Sequence, residues 1–193
     1  GSGYIDQNPA VTITAVGAGS GATAVAYAMV QPLVDADGVH SSGSTNQFFA
    51  ISSNDNLIVA GANYNYSLGN GPQNNDAVHA VNFPIVGYDG VKVKPIRIFT
   101  AASTTYVLGS DGSLWSVGYN AHGQLGRGFT GDSTNVYGSG TNSAIFDKIT
   151  FSGGGVVKKF ATNLGPVSQS TCLALVQTSS GETLYGWGYN GYG

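Results

Sequence analysis

The residues that could perform acid–base chemistry are few and lie far apart in this sequence. His40, His79 and His122 fall in different predicted loops, and Glu182 is the only glutamate. A general acid and base must both reach the reacting atoms within hydrogen-bond distance, and these groups show no spacing that would pair them. We therefore expect no catalytic residue and no enzyme activity.

Asp35, Asp37 and His40 come closest to a metal-binding set. A calcium loop needs further oxygen ligands at fixed positions and a closing glutamate, and the sequence has neither here. A solvated turn is the simpler interpretation, so we predict no metal site and no cofactor.

The glycine-rich segment at residues 17–21 superficially resembles a phosphate-binding loop. Such a loop presents the phosphate to the N-terminus of a helix, whereas residues 22–30 alternate with the period-two pattern of a strand. The pattern predicts a β-hairpin over residues 9–30 and no nucleotide site. Cys172 stands in the apolar run CLALV, which predicts a small core residue rather than a reactive thiol.

Composition limits the possible partners. Charged residues make up 9% of the 193 residues, and a net charge of −3 gives no positive field to attract phosphates, so we expect no nucleic-acid binding. The uncharged run at residues 7–34 is interrupted by Pro9, Pro32 and a glycine cluster, so it predicts soluble β-structure and no membrane insertion.

Three stretches of the chain share one pattern. Residues 57–71, 114–128 and 184–193 each begin with a short apolar strand that ends in Gly-x-Asn, and each strand follows a predicted polar hairpin turn. Their first leucines are offset by 114 − 57 = 57 and 184 − 114 = 70 residues. A recurrence at such intervals indicates a repeat architecture.

The recurring glycines and asparagines predict structural turns. Glycine accepts the positive φ that a strand end or tight turn requires, and an asparagine side chain bonds locally to the turned backbone. The structural turn motif predicted in this way consists of Gly61, Asn63, Gly118, Asn120, Gly123, Gly126, Gly188 and Asn190.

Further β-prone runs at residues 96–100 and 156–160 precede the second and third hairpins, and residues 83–86 and 145–151 are candidates to close the preceding units. Three or four short strands per unit are typical of a β-propeller blade. The pattern predicts an all-β fold with propeller repeats over residues 44–193.

Residues 94–128, KPIRIFTAASTTYVLGSDGSLWSVGYNAHGQLGRG, resemble a repeat of the RCC1-like propeller family. The resemblance implies RCC1-like β-propeller blades, with about two and a half repeats here against the roughly seven of a closed propeller. Open sheet edges promote association, so we expect further blades in a longer chain, or neighbouring subunits that cover the edges. The matching residues are Ala101, Ser103, Leu108, Asp111, Gly112, Gly118, Asn120, Gly123, Gln124, Leu125 and Gly126.

Residues 1–43 form a separate predicted module, a glycine-rich β-hairpin followed by a connector. Its first thirty residues resemble the glycine-rich β units of structural proteins of tailed bacteriophages, often those of marine phages. The residues that carry this resemblance are Gly1, Ser2, Gly3, Tyr4, Pro9, Val11, Ile13, Gly19, Ser20, Gly21, Ala22, Ala24 and Ala26.

Aromatic and polar residues in the predicted loops offer a contact surface. Tyrosine supplies a large contact area at low entropic cost, and mixtures of tyrosine with Asn, Ser and Gly recur in recognition surfaces. The alternative is that several rings pack between blades, as we expect for Tyr119 and Tyr189. The candidate contact residues are Tyr64, Tyr66, His122, Arg127, Phe129, Tyr137 and Tyr192.

The two resemblances together imply a non-enzymatic virion structural protein, in a tail, fibre or surface decoration. Its partners would be other virion proteins, copies of itself, or a host-surface protein or glycan. It would be assembled in the host cytoplasm and reside in the virion. The alternative is a free RCC1-like interaction propeller of the enzyme-inhibitor or GTPase-exchange type.

Overall fold

A computed structural model describes residues 40–42, 47–71, 77–87, 89–101, 103–128, 143–163, 165 and 169–191, with backbone alone for 40–42 and 77–80. The chain divides into two units, Gly1–Pro32 and Leu33–Gly193, and every described residue belongs to the second. The predicted hairpin module and most of its connector lie outside the described residues. The domain boundary placed at residues 43 and 44 stays a prediction.

The described residues form three antiparallel sheets, each built from strands that follow one another along the chain. Sheet 1 contains β1 His40–Ser42, β2 Gln47–Ile51, β3 Leu57–Gly61 and β4 Ala77–Phe83. Sheet 2 contains β5 Pro95–Ala101, β6 Thr104–Gly109, β7 Leu114–Gly118 and β8 Ser143–Lys148. Sheet 3 contains β9 Val156–Thr162, β10 Thr171–Thr178 and β11 Gly181–Gly188, and the 3-10 turn Tyr64–Tyr66 follows β3. The all-β prediction is confirmed for the described residues.

The hairpin turns follow from their local sequences. In sheet 2 the Gly109 amide donates to the Ser113 carbonyl at 2.8 Å, and Gly112 has a φ of 78°. In sheet 1 the Ser52 amide donates to the Asn56 carbonyl at 2.9 Å, and Asp55 takes the positive φ, at 60°. Glycine and aspartate both tolerate this backbone region, so a tight turn forms at each site.

Each sheet has a rear face, toward the preceding sheet, and a forward face, toward the following one. Val107, Trp115 and Val117 on the rear face of sheet 2 share a core with the forward face of sheet 1. Tyr106 and Leu114 on the forward face of sheet 2 share a second core with Cys172, Ala174 and Val176 on the rear face of sheet 3. Sheet 2 is therefore packed on both faces, which explains why every residue of β7 is buried.

The closing strands lie earlier in the chain than predicted. Residues 83–86 were expected to close the first unit, but β4 is Ala77–Phe83, where Phe83 pairs with Leu57 and Val81 pairs with Val59. His79 therefore lies in a strand, and His40 lies in β1, so the prediction that both occupy loops is wrong. Pairing with neighbouring strands, which no local pattern encodes, decides both cases.

Candidate functional site

The glycine of each Gly-x-Asn turn has a backbone conformation that other residues rarely adopt. The φ values are 100° at Gly61, 111° at Gly118 and 102° at Gly188. A Cβ atom at Gly118 would stand 2.3 Å from the Ser103 carbonyl oxygen. The same atom at Gly188 would stand 2.3 Å from the Ser170 carbonyl oxygen, so both conformation and space require glycine at these two positions.

In the second and third copies, the residue after this glycine is hydrogen-bonded to the residue that precedes the neighbouring strand. The Tyr119 amide donates to the Ser103 carbonyl at 2.8 Å, and the Tyr189 amide donates to the Ser170 carbonyl at 2.9 Å. The Thr104 hydroxyl donates to the Tyr119 carbonyl at 3.1 Å. These bonds hold the end of each hairpin closed.

The side chain at the start of the middle strand plays the same part in all three copies. The Thr171 hydroxyl donates to the Tyr189 carbonyl at 2.9 Å, as Thr104 does in sheet 2. In sheet 1, Gln47 Nε2 donates to the Ala62 carbonyl at 2.7 Å. Different side chains therefore satisfy the same backbone requirement.

The asparagines order the loop that follows each strand. Asn63 Oδ1 accepts the Leu68 amide at 3.0 Å, and Asn120 Oδ1 accepts the Leu125 amide at 2.9 Å. Both asparagines and both leucines are fully buried, whereas Asn190 is exposed. In the first two copies the asparagine thus holds a leucine in the core.

The Leu-Gly turns of the first two repeats pack against the next sheet. A Cβ atom at Gly69 would stand 2.3 Å from the ring of Phe146 in sheet 2. A Cβ atom at Gly126 would stand 2.7 Å from the Trp187 indole nitrogen in sheet 3. The aromatic partners were not predicted from sequence, although the repeated Leu-Gly pair at 68–69 and 125–126 was a signal for a shared contact.

Carbonyl oxygens of these turns also bind the next sheet. The Thr105 hydroxyl donates to the Ser67 carbonyl at 2.7 Å. The Gln124 carbonyl accepts the Tyr106 hydroxyl at 2.7 Å and the Trp187 Nε1 at 2.9 Å. The turn motif therefore joins consecutive sheets as well as shaping each one.

Cys172 and Tyr106 form a buried pair in the second core. The Cys172 thiol donates to the Tyr106 oxygen at 3.0 Å. Burial raises the pKa of Tyr106 well above its ordinary value, and the nearby Cys172 raises it further. Burial likewise raises the pKa of the Cys172 thiol to about 11, so both groups are neutral at physiological pH and the thiol is not a nucleophile.

The candidate contact residues occupy different environments. Tyr64 is 47% exposed and His122 is exposed, while Tyr66 and Arg127 are partly buried. Phe129, Tyr137 and Tyr192 lie outside the described residues. Tyr119 and Tyr189 are partly buried, and the Tyr189 ring meets His122 edge-on at a centroid distance of 5.1 Å.

The Arg127 side chain binds the strands of sheet 2. Its Nε donates to the Ser116 hydroxyl at 3.1 Å, and its Nη2 donates to the carbonyls of Ser116 and, at 3.4 Å, Ile145. The register between β7 and β8 shifts between Ser116 and Gly118, so the guanidinium supplies donors where the ladder is irregular. Arg127 therefore joins β7 and β8, and its place in the contact surface stays a prediction.

A groove of about 390 Å³ lies between the turn of the second repeat and sheet 3. Its aromatic side chains are Phe151, Tyr185 and Trp187, and His122 and Thr150 stand at its border. The Tyr185 hydroxyl donates to the Ser152 carbonyl at 2.6 Å, which fixes one wall. Glycines form much of the remaining lining, and the described lining residues include no Asp, Glu, Lys or Arg.

The groove offers apolar side chains and glycine backbone as contact surface. Aromatic faces and exposed glycine backbone favour contact with an apolar or peptide-like surface. Within the described ranges, no three His, Cys, Asp or Glu side chains are grouped closely enough to hold a metal ion. In the same part of the chain, no helix has the length and apolar character needed to span a membrane.

Comparison with known proteins identifies the fold. Neither a protein-family model nor a curated protein matches the chain. The crystal structure of human WBSCR16 matches 80% of the chain with a TM-score of 0.55 and 20% identity. The crystal structure of Kap60 bound to yeast RCC1 (Prp20) matches 82% of it with a TM-score of 0.52 and 15% identity. The chain spans 34% and 31% of the lengths of these two matched chains, about a third in each case. The three described sheets are thus blades of an incomplete RCC1-like β-propeller.

Proposed function

We propose that this chain is a protein-interaction module that binds its partner at the groove between the second and third sheets. The observation that carries the proposal is a groove of about 390 Å³ whose described lining combines aromatic side chains with glycine backbone and includes no Asp, Glu, Lys or Arg. Protein partners commonly place an apolar side chain into such a cavity, while glycine exposes backbone groups for hydrogen bonds.

The comparison with solved structures supports a protein partner. One matched structure contains yeast RCC1 (Prp20) bound to another protein, Kap60. That likeness concerns the fold, so the position of the site on this chain rests on the groove itself. Among the described members of the candidate contact set, His122 and Tyr64 are exposed, and His122 borders the groove.

A substitution that fills the groove tests the proposal. Thr150 is exposed at the border, so Thr150→Trp places an indole in the groove without disturbing a buried side chain. Lys92→Trp adds the same side chain at an exposed site that does not line the groove. Affinity capture from source-cell extract, followed by calorimetry with the recovered partner, should give binding that Thr150→Trp weakens at least about tenfold and Lys92→Trp leaves unchanged.

Equal binding by both variants would place the partner elsewhere on the chain. Failure to recover any stoichiometric partner would count against the interaction module itself. Activity of the recovered partner, measured with and without this chain, distinguishes an enzyme inhibitor from a GTPase-exchange factor.

The second candidate is a virion structural or appendage protein that contributes to host-surface recognition. The resemblance of the first thirty residues to glycine-rich β units of tailed-phage structural proteins supports it. Under this proposal the chain is assembled in the host cytoplasm, resides in the virion and contacts other virion proteins, copies of itself, or a host-surface protein or glycan. Mass spectrometry of purified virions should then find the chain, and its absence from them would reject this candidate.

A further inference from the structure

The turn that follows β3 keeps a tyrosine at a position where the equivalent turn has glycine. The first turn, residues 63–69, and the second turn, residues 120–126, align residue by residue, so Tyr66 is equivalent to Gly123. The φ of Tyr66 is 64° and that of Gly123 is 79°. This left-handed conformation costs free energy for a bulky side chain but is readily adopted by glycine. The first turn therefore carries strain that the second turn avoids at this position.

A glycine in the first turn would form the same backbone. The Gly69 amide donates to the Tyr66 carbonyl at 2.9 Å, as the Gly126 amide donates to the Gly123 carbonyl at 2.9 Å. In both turns the buried asparagine at the start also accepts the amide of the leucine five residues later. Because these bonds are the same in both turns, the backbone does not require the tyrosine.

Neighbouring groups hold the strained residues in place. Asn65 also has a positive φ, of 52°, so two consecutive residues other than glycine adopt this conformation. The amide and the hydroxyl of Ser67 both donate to the Tyr64 carbonyl, at 3.1 and 2.7 Å, and Gln47 Nε2 donates to the same hydroxyl. Strain of this kind persists only where the surrounding structure fixes it, and it clusters at binding sites. The conformation of Tyr66 therefore points to a function for its side chain.

The first turn is exposed although both of the sheets that it joins are described. Its Ser67 carbonyl accepts the Thr105 hydroxyl of sheet 2 at 2.7 Å. Tyr64 is nevertheless 47% exposed, and Tyr66 is partly exposed. Since sheet 2 is itself covered on both faces, the exposure of these tyrosines does not come from an uncovered sheet face.

The first turn and the groove share an uncharged surface. Residues 56–75 include no Asp, Glu, Lys or Arg, and neither does the described lining of the groove. His122, at the border of the groove, is the residue of the second turn that is equivalent to Asn65 in the first. The two surfaces therefore lie at neighbouring turns of consecutive sheets. Tyrosine rings and amide groups without full charges match a protein surface of apolar side chains and backbone groups.

We propose that Tyr64 and Tyr66 make a second contact with the protein partner that binds the groove, and that they meet an uncharged part of its surface. This inference rests on the proposed function, because it assigns both contacts to one partner. The tyrosine at position 66 adds contact area at low entropic cost, which explains why it stands in place of the glycine despite the strain. A protein is large enough to reach both turns, whereas a small ligand would occupy one of them.

Calorimetry with the purified partner that the wild-type chain captures tests the contact. Tyr64→Ala, Tyr66→Ala and Tyr66→Gly each remove a ring and should weaken binding at least about tenfold. Tyr66→Gly should nevertheless unfold at a higher urea concentration than Tyr66→Ala, because only alanine keeps the strain. Val91→Ala shortens a 54% exposed valine outside the turn and should leave binding unchanged.

The dependence of binding on salt tests the chemistry of the contact. The dissociation constant should change less than about twofold between roughly 50 and 500 mM salt, because the turn and the described groove lining present no full charges to be screened. A loss of affinity of about tenfold or more over this range would overturn the uncharged contact.

The same measurements distinguish this inference from the groove proposal. Unchanged binding by the Tyr64 and Tyr66 variants overturns the inference, and weaker binding by Thr150→Trp would then leave the groove proposal intact. Weaker binding by the tyrosine variants with unchanged binding by Thr150→Trp supports the contact at the turn and rejects the groove. Capture of a saccharide in place of a protein overturns the inference, as does failure to capture any stoichiometric protein.

Discussion

Two effects require glycine at position 118: a positive φ and the close approach of a neighbouring carbonyl. A comparison with Gly181, which has only the positive φ, separates these two effects. The φ of Gly118 is 111°, and an added Cβ would stand 2.3 Å from the Ser103 carbonyl. Gly181 has a similar φ of 120°, but nothing lies within 4 Å of its Cβ position. Gly181→Ala therefore measures conformational strain alone.

We predict that Gly118→Ala lowers the free energy of unfolding by about 2–4 kcal/mol, because strain and steric overlap act together. Gly181→Ala should lower it by about 1–2 kcal/mol. Urea denaturation of both variants measures the difference. Equal losses of unfolding free energy in the two variants would show that the structure relieves the overlap with Ser103 at no cost.

Asp111 makes the stability of the second hairpin depend on pH. Partial burial acts to raise the pKa of its carboxyl group, but hydrogen bonds from Ser113 outweigh this and hold the pKa below its ordinary value. The Ser113 amide donates to Asp111 Oδ1 at 2.9 Å and the Ser113 hydroxyl at 2.5 Å. The ionised carboxylate is thus the form that stabilises the turn.

We predict that the contribution of Asp111 is fully present above its unfolded pKa of about 3.9 and is lost as the pH falls through its lower folded value. Asp111→Asn should therefore be less stable than wild type at pH 6, and the gap should narrow toward pH 2. Urea denaturation at several pH values checks this. An NMR titration that placed the Asp111 pKa at or above 3.9 would contradict the prediction.

At the scale of elements, the pairing of β7 with β8 depends on a side chain from outside both strands. Arg127 donates to Ser116 and Ile145 where the ladder between these strands loses its regular register. Arginine suits this position because its planar guanidinium presents several donors in a fixed geometry. Lysine carries its charge on one ammonium group and cannot donate to Ser116 and Ile145 in the same geometry.

We predict that Arg127→Lys destabilises β8 selectively, by about 1.5–3 kcal/mol, which is typical for lost hydrogen bonds to a charged donor. Hydrogen exchange of the β8 amides, Ser143–Lys148, should become faster, while exchange in β10, Thr171–Thr178, should change little. Equal acceleration in both strands would show that Arg127 supports the whole fold and not this pairing.

At the scale of the whole molecule, stability comes from contacts between consecutive sheets, as in other repeat architectures. The Gln124 carbonyl links sheets 2 and 3, because it accepts hydrogen bonds from Tyr106 in sheet 2 and Trp187 in sheet 3. When one donor is removed, the other still satisfies the oxygen. The two donors should therefore compensate for each other.

We predict that Tyr106→Phe and Trp187→Phe each cost about 1 kcal/mol, and that the double variant costs more than their sum by at least about 0.5 kcal/mol. Denaturant unfolding of the four proteins forms the double-mutant cycle. Simple additivity would show that the two hydrogen bonds act independently.

Much of the blade architecture could be predicted from the sequence, because it depends on local requirements. The glycines at 118 and 188 and the buried asparagines at 63 and 120 lie at strand ends where a turn must form within a few residues. The closing strands were misplaced, because β4 and β8 are defined by pairing with β3 and β7, and the sequences between the paired strands carry no periodic pattern. His79 was assigned to a loop for the same reason.

The sequence by itself determined the repeat, its turns and the class of fold, because backbone conformation at Gly-x-Asn and hairpin turns depends on adjacent residues. The tertiary structure alone decided which face of each sheet is covered. Leu114 and Leu184 occupy the same place in the repeat, yet one is 0% and the other 66% exposed, because burial depends on whether another sheet packs on that face. The tertiary structure also decided that Arg127 joins β7 and β8 and that His122 borders the groove, because packing sets the distances between segments that lie far apart in the chain.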